Sequence, residues 1–172
     1  MHRIYFLLLT LCLSQWSFAK TFITADRYLD VENGHFVASP VIVIEGDRIL
    51  SMTGNIERRQ RSDRVINLTG MTLLPGLIDS HVHIEGNQSL HGFEKLGESD
   101  QAALLSGVSN ARDMLVAGIT TIRNLGSRTD VDIALRDAIN DGIIVGPRIF
   151  AAGPPLGITG GHCDSTLLPR EF

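Results

Sequence analysis

The sequence predicts an α/β chain in which a short all-β segment precedes strands that alternate with helices. Three observations predict it: closely spaced β-branched runs before residue 70, a helical apolar stripe after residue 99, and a change of periodicity between the two. The 172 residues are 44% apolar and 20% charged, which is the composition of a globular protein. Because 19 acidic residues outnumber 15 basic ones, the chain has no basic field for a phosphate backbone, and nucleic acid is not expected as a partner.

Residues 1–19 have the three parts of a secretory signal. Arg3 supplies the basic start, residues 4–13 form an apolar run, and Ser17 and Ala19 are the small residues before the cleavage point. The run is shorter than the roughly 20 residues of a membrane-spanning helix, so no permanent membrane span is expected. We therefore expect an exported protein, periplasmic or secreted, whose mature chain begins at residue 20.

Residues 20–70 contain short strand-like runs separated by turn signals such as Asn33-Gly34. Several short strands in succession predict part of a small β-sandwich. About 50 residues are too few to close such a domain, so further strands are expected from elsewhere in the protein. The predicted strands are residues 21–28, 41–44, 48–52 and 65–68.

Residues 71–172 change to an alternation of strands and helices. Residues 77–83 form the first predicted strand, and Ser99 is the predicted N-cap of the helix that follows. The order β-α-β-α-β, at about 30 to 40 residues per step, is typical of crossover units in a parallel sheet. The first helix is predicted from an apolar stripe of Leu104, Val108, Ala111 and Leu115, and Gly118 ends it. The second helix is capped by Thr129 or Asp130, has Val131, Leu135 and Ala138 on one face, and is followed by Gly142. The other two predicted strands are residues 119–122 and 148–152.

His81 and His83 carry the sharpest chemical signal. Because side chains alternate along a strand, both imidazoles are predicted to project from the same face. Neutral imidazole nitrogens bind zinc and other divalent transition metals, and two on one strand hold an ion with little freedom to lose. Two incidental histidines remain the alternative interpretation, but their position at the end of an apolar strand favours a metal site.

The chain resembles the metal-dependent amidohydrolase superfamily over about residues 22–164. The motifs that carry this resemblance are residues 43–49 (VIEGDRI), 65–83 (VINLTGMTLLPGLIDSHVH), 117–123 (AGITTIR) and 146–148 (GPR). Residues 160–164 (GGHCD) are most similar to the prolidase-like and imidazolonepropionase-like branch. Two positions depart from the family pattern, because Asn124 stands where an Asp is usual and Cys163 where a Gly is common.

The resemblance implies the N-terminal part of a TIM-like (β/α)8 barrel preceded by part of a β-sandwich. It also implies one or two divalent metal ions, zinc first, with His81 and His83 as ligands of the more buried ion. A complete barrel needs about 250 residues, so we expect only about three of its strands here. The family's other ligands and its catalytic Asp are expected beyond residue 172, and this chain alone is expected to be inactive.

Four further residues are candidates with two interpretations each. His162 either contacts substrate or is a solvated loop histidine, and Asp79 is either a ligand or a buried structural carboxylate. Arg123 either meets an acidic substrate group or pairs with a neighbour at its strand end. Cys163, the one cysteine outside the leader, has no local signature of a nucleophile, which favours a spectator thiol.

The resemblance predicts a hydrolase of C–N bonds that acts on small molecules or dipeptides, above all those with a C-terminal proline. The same-class alternative is a cyclic amidohydrolase of the imidazolonepropionase type. The alternative from another class is a non-catalytic remnant or binding module, since two histidines fall short of the three protein ligands of a usual catalytic zinc site. The sequence favours neither a monomer nor a homo-oligomer.

Overall fold

The structure is a computed structural model that describes residues 19–159, 161 and 163. The predicted leader, apart from Ala19, lies outside the described residues, as does His162. The described residues divide into two compact units, with the boundary between Pro75 and Gly76. None of the helices in the described ranges combines the length and apolar character needed to cross a membrane.

The first unit is built on one five-stranded sheet. Its centre is the long strand β1, which pairs in parallel with β5 and antiparallel with both β2 and β3, while β4 pairs antiparallel with β3. A second layer that would make it a sandwich remains a prediction. The strands are β1 (Lys20–Asp30), β2 (His35–Ala38), β3 (Val41–Glu45), β4 (Arg48–Ser51) and β5 (Arg64–Leu73).

Strand β1 is the centre of this sheet because it pairs with three other strands, and its buried side chains are apolar. Phe22 and Ala25 on β1 and Ile42 and Val43 on β3 are the buried apolar residues of the unit. Strand β2 was not predicted, because its residues are mostly exposed and it is specified by its antiparallel register with the far end of β1 rather than by its own pattern.

The second unit contains the predicted alternation of strands and helices. Its three strands are parallel, in the order β6-β7-β8. A closed barrel remains a prediction, because three parallel strands are compatible with it but do not form it. The strands and α-helices are β6 (Leu77–Val82), α1 (Asp100–Val116), β7 (Ile119–Asn124), α2 (Val131–Asn140) and β8 (Arg148–Ala151), and a 3₁₀ helix over Gly92–Gly97 lies between β6 and α1.

The helices begin and end near the residues that the sequence predicts. Ser99 Oγ accepts a hydrogen bond from the Ala102 amide at 3.2 Å, which confirms the predicted N-cap of α1. Gly118 and Gly142 follow the two helices with φ of 89° and 70°, a conformation that glycine adopts without strain. The N-cap of α2 is Asp130 rather than Thr129.

The core of the second unit lies between the sheet and its two helices. It confirms the predicted stripe of α1 in part, because Ala111 belongs to the core and Leu104 and Val108 pack against it. The fully buried positions of α1 are Ala103, Gly107 and Ala111, whereas Leu104 and Val108 are only partly buried against the core. Small residues face inward because the helices approach closely: a Cβ on Gly107 would lie 2.6 Å from Leu135 Cδ1 of α2.

Candidate metal centre

His81 and His83 lie at the carboxyl end of β6, where exposed histidines alternate with buried apolar residues. Val82 and Ile84 are 8% and 2% exposed and belong to the core, whereas both histidines are exposed. The predicted alternation is therefore present. It follows from the sequence, because apolar residues at positions 82 and 84 draw one face of the strand into the core and leave the imidazoles on the other.

The two imidazole rings are close enough to share one ion. Their centroids are 5.6 Å apart and their planes are inclined by 69°. At zinc–nitrogen distances of about 2.0–2.1 Å, two rings on a single ion have centroids about 5 to 6 Å apart. The pair therefore fits the metal that the resemblance implies, although the part of the chain that the structure describes contains no cluster of three or more potential ligands.

The backbone after β6 is held by two asparagine side chains rather than by the sheet. Asn124 Oδ1 accepts a hydrogen bond from the Ile84 amide at 2.8 Å. Asn110 Nδ2 of α1 donates to the Ile84 carbonyl at 2.8 Å and to the Gly86 carbonyl at 3.2 Å. These bonds satisfy buried backbone groups where the strand ladder ends, and they fix the segment that carries His83.

The ring of His83 is also held from the next strand connection. Its Nδ1 lies 3.3 Å from the carbonyl oxygen of Gly126, in the loop after β7. Metal-binding histidines commonly use one ring nitrogen in this way, which orients the other for the ion.

A network of charged groups connects the loops beside the histidines. The Glu85 carboxylate accepts hydrogen bonds from Ser127 Oγ and from the Arg128 amide. Glu98, whose side chain is only 8% exposed, accepts from the Asn87 amide at 2.8 Å and pairs with Arg128 Nη1 at 3.4 Å. The loop after β6 is thus fastened to the loop after β7.

These loops border a groove of about 780 Å³, here called the histidine groove. A second groove of about 500 Å³ shares His83, Glu85, Lys95 and Arg128 with it. Carboxylate, ammonium and guanidinium groups therefore stand beside the imidazole pair, as a site for a small polar substrate requires. The lining of the histidine groove includes His81, His83, Glu85, Lys95, Arg128 and Cys163.

The other sequence candidates have separate positions. Asp79 is half-buried, and its Oδ1 accepts from the His81 amide at 3.1 Å. Arg123 is exposed and donates through Nε to the Ser80 carbonyl at 2.7 Å, which is a pairing with a neighbouring strand end. Cys163 is an exposed free thiol, and His162 lies outside the described residues.

Sequence reasoning missed Glu85, Glu98, Arg128 and the buried carboxylate of Asp132. The first three lie on loops, where no periodicity marks them. Asp132 resembles an ordinary acidic residue in the first turn of a helix, so its burial depends on tertiary packing. Asn124 had a signal: it is a polar residue two positions after Ile122, on the face of β7 that the core buries.

Comparisons with known proteins agree with this architecture. A solved Xaa-Pro dipeptidase, with methionine bound in its active site, superimposes with a TM-score of 0.75 and 35% identity over 86% of this chain and 36% of that one. The ochratoxinase of Aspergillus niger is 36% identical over 100 residues, 56% of this chain and 20% of that protein. An adenine deaminase of Sinorhizobium fredii is 38% identical over 78 residues, 45% of this chain and 13% of that protein.

The chain thus spans about a third of the dipeptidase structure and a fifth or less of these curated relatives. The model of the Amidohydrolase family matches residues 72–171, which include the histidine pair and every strand and helix described for the second unit. On that match, the chain belongs to the amidohydrolase family.

Proposed function

We propose that this chain supplies the first two metal ligands and part of the substrate groove of an exported, metal-dependent hydrolase that cleaves the C–N bond of Xaa-Pro dipeptides. The observation that carries the proposal is the pair of exposed imidazoles of His81 and His83, with centroids 5.6 Å apart, on the wall of the histidine groove. Members of the family are generally metal-dependent.

His81 and His83 would hold the ion, with zinc as the first candidate. A bound divalent ion supplies an activated water at neutral pH and polarises the carbonyl of the scissile bond. The chain's own residues bind and orient: the Gly126 carbonyl holds the His83 ring, and Glu85 and Arg128 keep the adjoining loops in place. Lys95 and Arg128 add positive charge to the groove, where the carboxylate of a dipeptide can be bound.

The similarity to a solved Xaa-Pro dipeptidase, over 86% of this chain, supports the dipeptide substrate. A second candidate is a cyclic substrate, either an imidazolone-type amide or a purine-like ring, and the adenine deaminase relative favours it. A panel of Xaa-Pro dipeptides, an imidazolone and adenine separates the two, because each candidate predicts turnover in a different part of the panel.

The test compares the full-length protein with its His81→Ala and His83→Ala variants, and His35→Ala serves as a control on an exposed histidine of the first unit. Metal content and dipeptide hydrolysis are measured together. We expect both site variants to lose most bound metal and hydrolysis, and the control to keep both. Unchanged metal content and turnover in the site variants would contradict the proposal, and absent metal and turnover in the unmodified protein would favour the non-catalytic binding module.

Export is a separate part of the proposal. Strand β1 begins at Lys20, so cleavage after Ala19 would leave the first strand whole. The nitrogen of Lys20 donates to Asp63 Oδ1 at 2.8 Å, and cleavage would make that nitrogen an ammonium group opposite a carboxylate. N-terminal sequencing of protein recovered from outside the cytoplasm should begin at Lys20, whereas full-length protein confined to the cytoplasm would refute export.

A further inference from the structure

A buried polar network lies at the carboxyl end of the three-stranded sheet, and Asn124 is its centre. Asn124 is 0% exposed, and its side chain makes three hydrogen bonds. Oδ1 accepts from the Ile84 amide, while Nδ2 donates to the Gly126 carbonyl at 3.0 Å and to Asp132 Oδ2 at 3.1 Å. Both amide protons and one acceptor position are thus used inside the core.

Asp132 extends this network to the third strand. It is also 0% exposed, and its Oδ2 accepts from the Ala152 and Gly153 amides, both at 3.1 Å, as well as from Asn124. Its Oδ1 is buried without a hydrogen-bond donor among the described residues. The ends of β6, β7 and β8 are therefore joined through one amide and one carboxylate.

The carbonyl of Gly126 joins the network to the histidine pair. It accepts from Asn124 Nδ2 at 3.0 Å and is 3.3 Å from His83 Nδ1. A carbonyl oxygen has two lone pairs and no proton, so it can accept both bonds and His83 Nδ1 must be the donor. Gly126 has φ of 135°, which L side chains rarely adopt, so this turn depends on glycine.

We propose that Asn124 is a positioning residue for His83: by fixing the Gly126 carbonyl it selects the tautomer in which Nδ1 carries the proton and Nε2 is free for a metal. The benefit of a free Nε2 rests on the proposed function, in which His83 binds a metal. The tautomer itself can be measured in metal-free protein. Asn124 touches neither substrate nor metal, and it acts through Gly126.

The same geometry favours an amide over a carboxylate at position 124 of this chain. An Asp there could still accept from the Ile84 amide, but it would lose both donated bonds. Its second oxygen would lie about 3 Å from the Asp132 carboxylate, where two like charges repel in a buried site.

The first experiment uses the unmodified full-length protein, stripped of metal and labelled with 15N at histidine. The nitrogen shifts of His83, assigned with His83→Gln, are recorded at a pH where the ring is neutral. We expect His83 to be present chiefly with its proton on Nδ1. A His83 that carries its proton on Nε2 would overturn the proposal, whatever the outcome of metal binding.

The second experiment separates positioning from stability. Asn124→Asp should lower zinc affinity, measured by competition with a chelator, by about 10- to 100-fold. The double variant N124D/D132N removes the pair of facing carboxylates but does not restore the bond to Gly126. Because Asp132 Oδ2 accepts from position 124 and from the Ala152 and Gly153 amides alike, an asparagine at position 132 can restore only part of these bonds. We expect the double variant to be more resistant to urea than Asn124→Asp, because the like-charge pair is gone, while its zinc affinity stays low and the His83 ring is present as a mixture of both tautomers.

The exposed Asn140 provides the matched control, and Asn140→Asp should change neither tautomer nor zinc affinity. If the double variant regains wild-type zinc affinity and a single His83 tautomer, Asn124 is only a structural residue and the proposal is wrong. If His81→Ala leaves metal content unchanged while His83 has its proton on Nδ1, the proposed function fails and the positioning of the ring remains.

Discussion

Gly76 and Thr120 are in such close contact that no side chain fits at position 76. A Cβ placed on Gly76 would lie 2.1 Å from Thr120 Oγ1, 2.3 Å from Cγ2 and 2.7 Å from Cβ. The next residue, Leu77, donates its amide to the Gly118 carbonyl at 2.8 Å, so the backbone is held on both sides of the contact. The entry into β6, which carries His81, therefore depends on the absence of a side chain at position 76.

Gly76→Ala should lower the free energy of unfolding by about 1–3 kcal/mol, because Thr120 is β-branched and cannot turn all of its atoms away. Urea denaturation of the full-length protein measures the loss. Gly97→Ala is the matched control, since nothing lies within 4 Å of its added Cβ and it should be neutral or slightly stabilising. If Gly76→Ala lowers the free energy of unfolding by the same amount in a Thr120→Gly background, the contact with Thr120 is not the cause of the loss.

The ends of the helices and the face of the histidine strand could be predicted because short-range chemistry determines them. Ser99 caps α1 through its own hydroxyl, and Gly118 and Gly142 follow the helices in a conformation that glycine tolerates. The exposed and buried positions around His81 follow from the period of a strand. In contrast, β2 could not be predicted, because it exists only through pairing with residues 27–30 of β1.

Asp132→Ala should destabilise the second unit by about 2–4 kcal/mol. The substitution removes the acceptor of Asn124 Nδ2 and of the Ala152 and Gly153 amides, and each buried donor left unpaired costs about 1–3 kcal/mol before water or local movement relieves it. Denaturation by urea is the measurement. Asp141→Ala, at an exposed position after the same helix, should be neutral, and an equal loss there would contradict the assignment.

The network around Asn124 could not be predicted, although Asn124 itself stood out as a departure from the family pattern. Its partners are Ile84, Gly126 and Asp132, and the bond to Ile84 crosses 40 positions of the chain. The packing of β6 beside β7 brings Ile84 to Asn124, and the position of α2 after β7 brings Asp132 to it, whereas the bond to Gly126 spans only two residues. The histidine pair differs, because both of its members lie on one strand and their relation follows from local geometry alone.

Stability of the first unit should fall in acid because of Asp63 and Asp30. The Gln60 amide, and after it the Lys20 amide, lower the pKa of Asp63 below its ordinary 3.8. The Asn33 side chain, and after it the Asn33 amide, lower the pKa of Asp30 in the same way. A pKa lowered by folding adds stability above the unfolded value of 3.8, and this stability is lost as the pH falls through the lower folded value.

Asp63→Asn and Asp30→Asn should therefore be less stable than the parent at pH 7 and should lose less stability on acidification to pH 3. Urea midpoints across that range, followed by a probe in the first unit, provide the measurement. Asp47→Asn is the control, because the Asp47 side chain is 90% exposed. Parallel pH profiles for the parent and both site variants would show that these hydrogen bonds do not contribute to the acid sensitivity.

Arg128→Ala should loosen the loop over residues 86–98 without unfolding the unit. Arg128 Nη1 donates to the Glu98 carbonyl at 2.9 Å and pairs with the Glu98 carboxylate at 3.4 Å, while the backbone bond from residue 128 to Glu85 survives the substitution. Loss of a charge-assisted contact of about 1.5 kcal/mol corresponds to amide exchange in the loop about tenfold faster. Hydrogen exchange read by mass spectrometry tests this. Arg136→Ala, which removes only a pairing with the adjacent Asp137, should leave residues 86–98 unchanged, and equal protection in the two variants would show that Arg128 does not hold the loop.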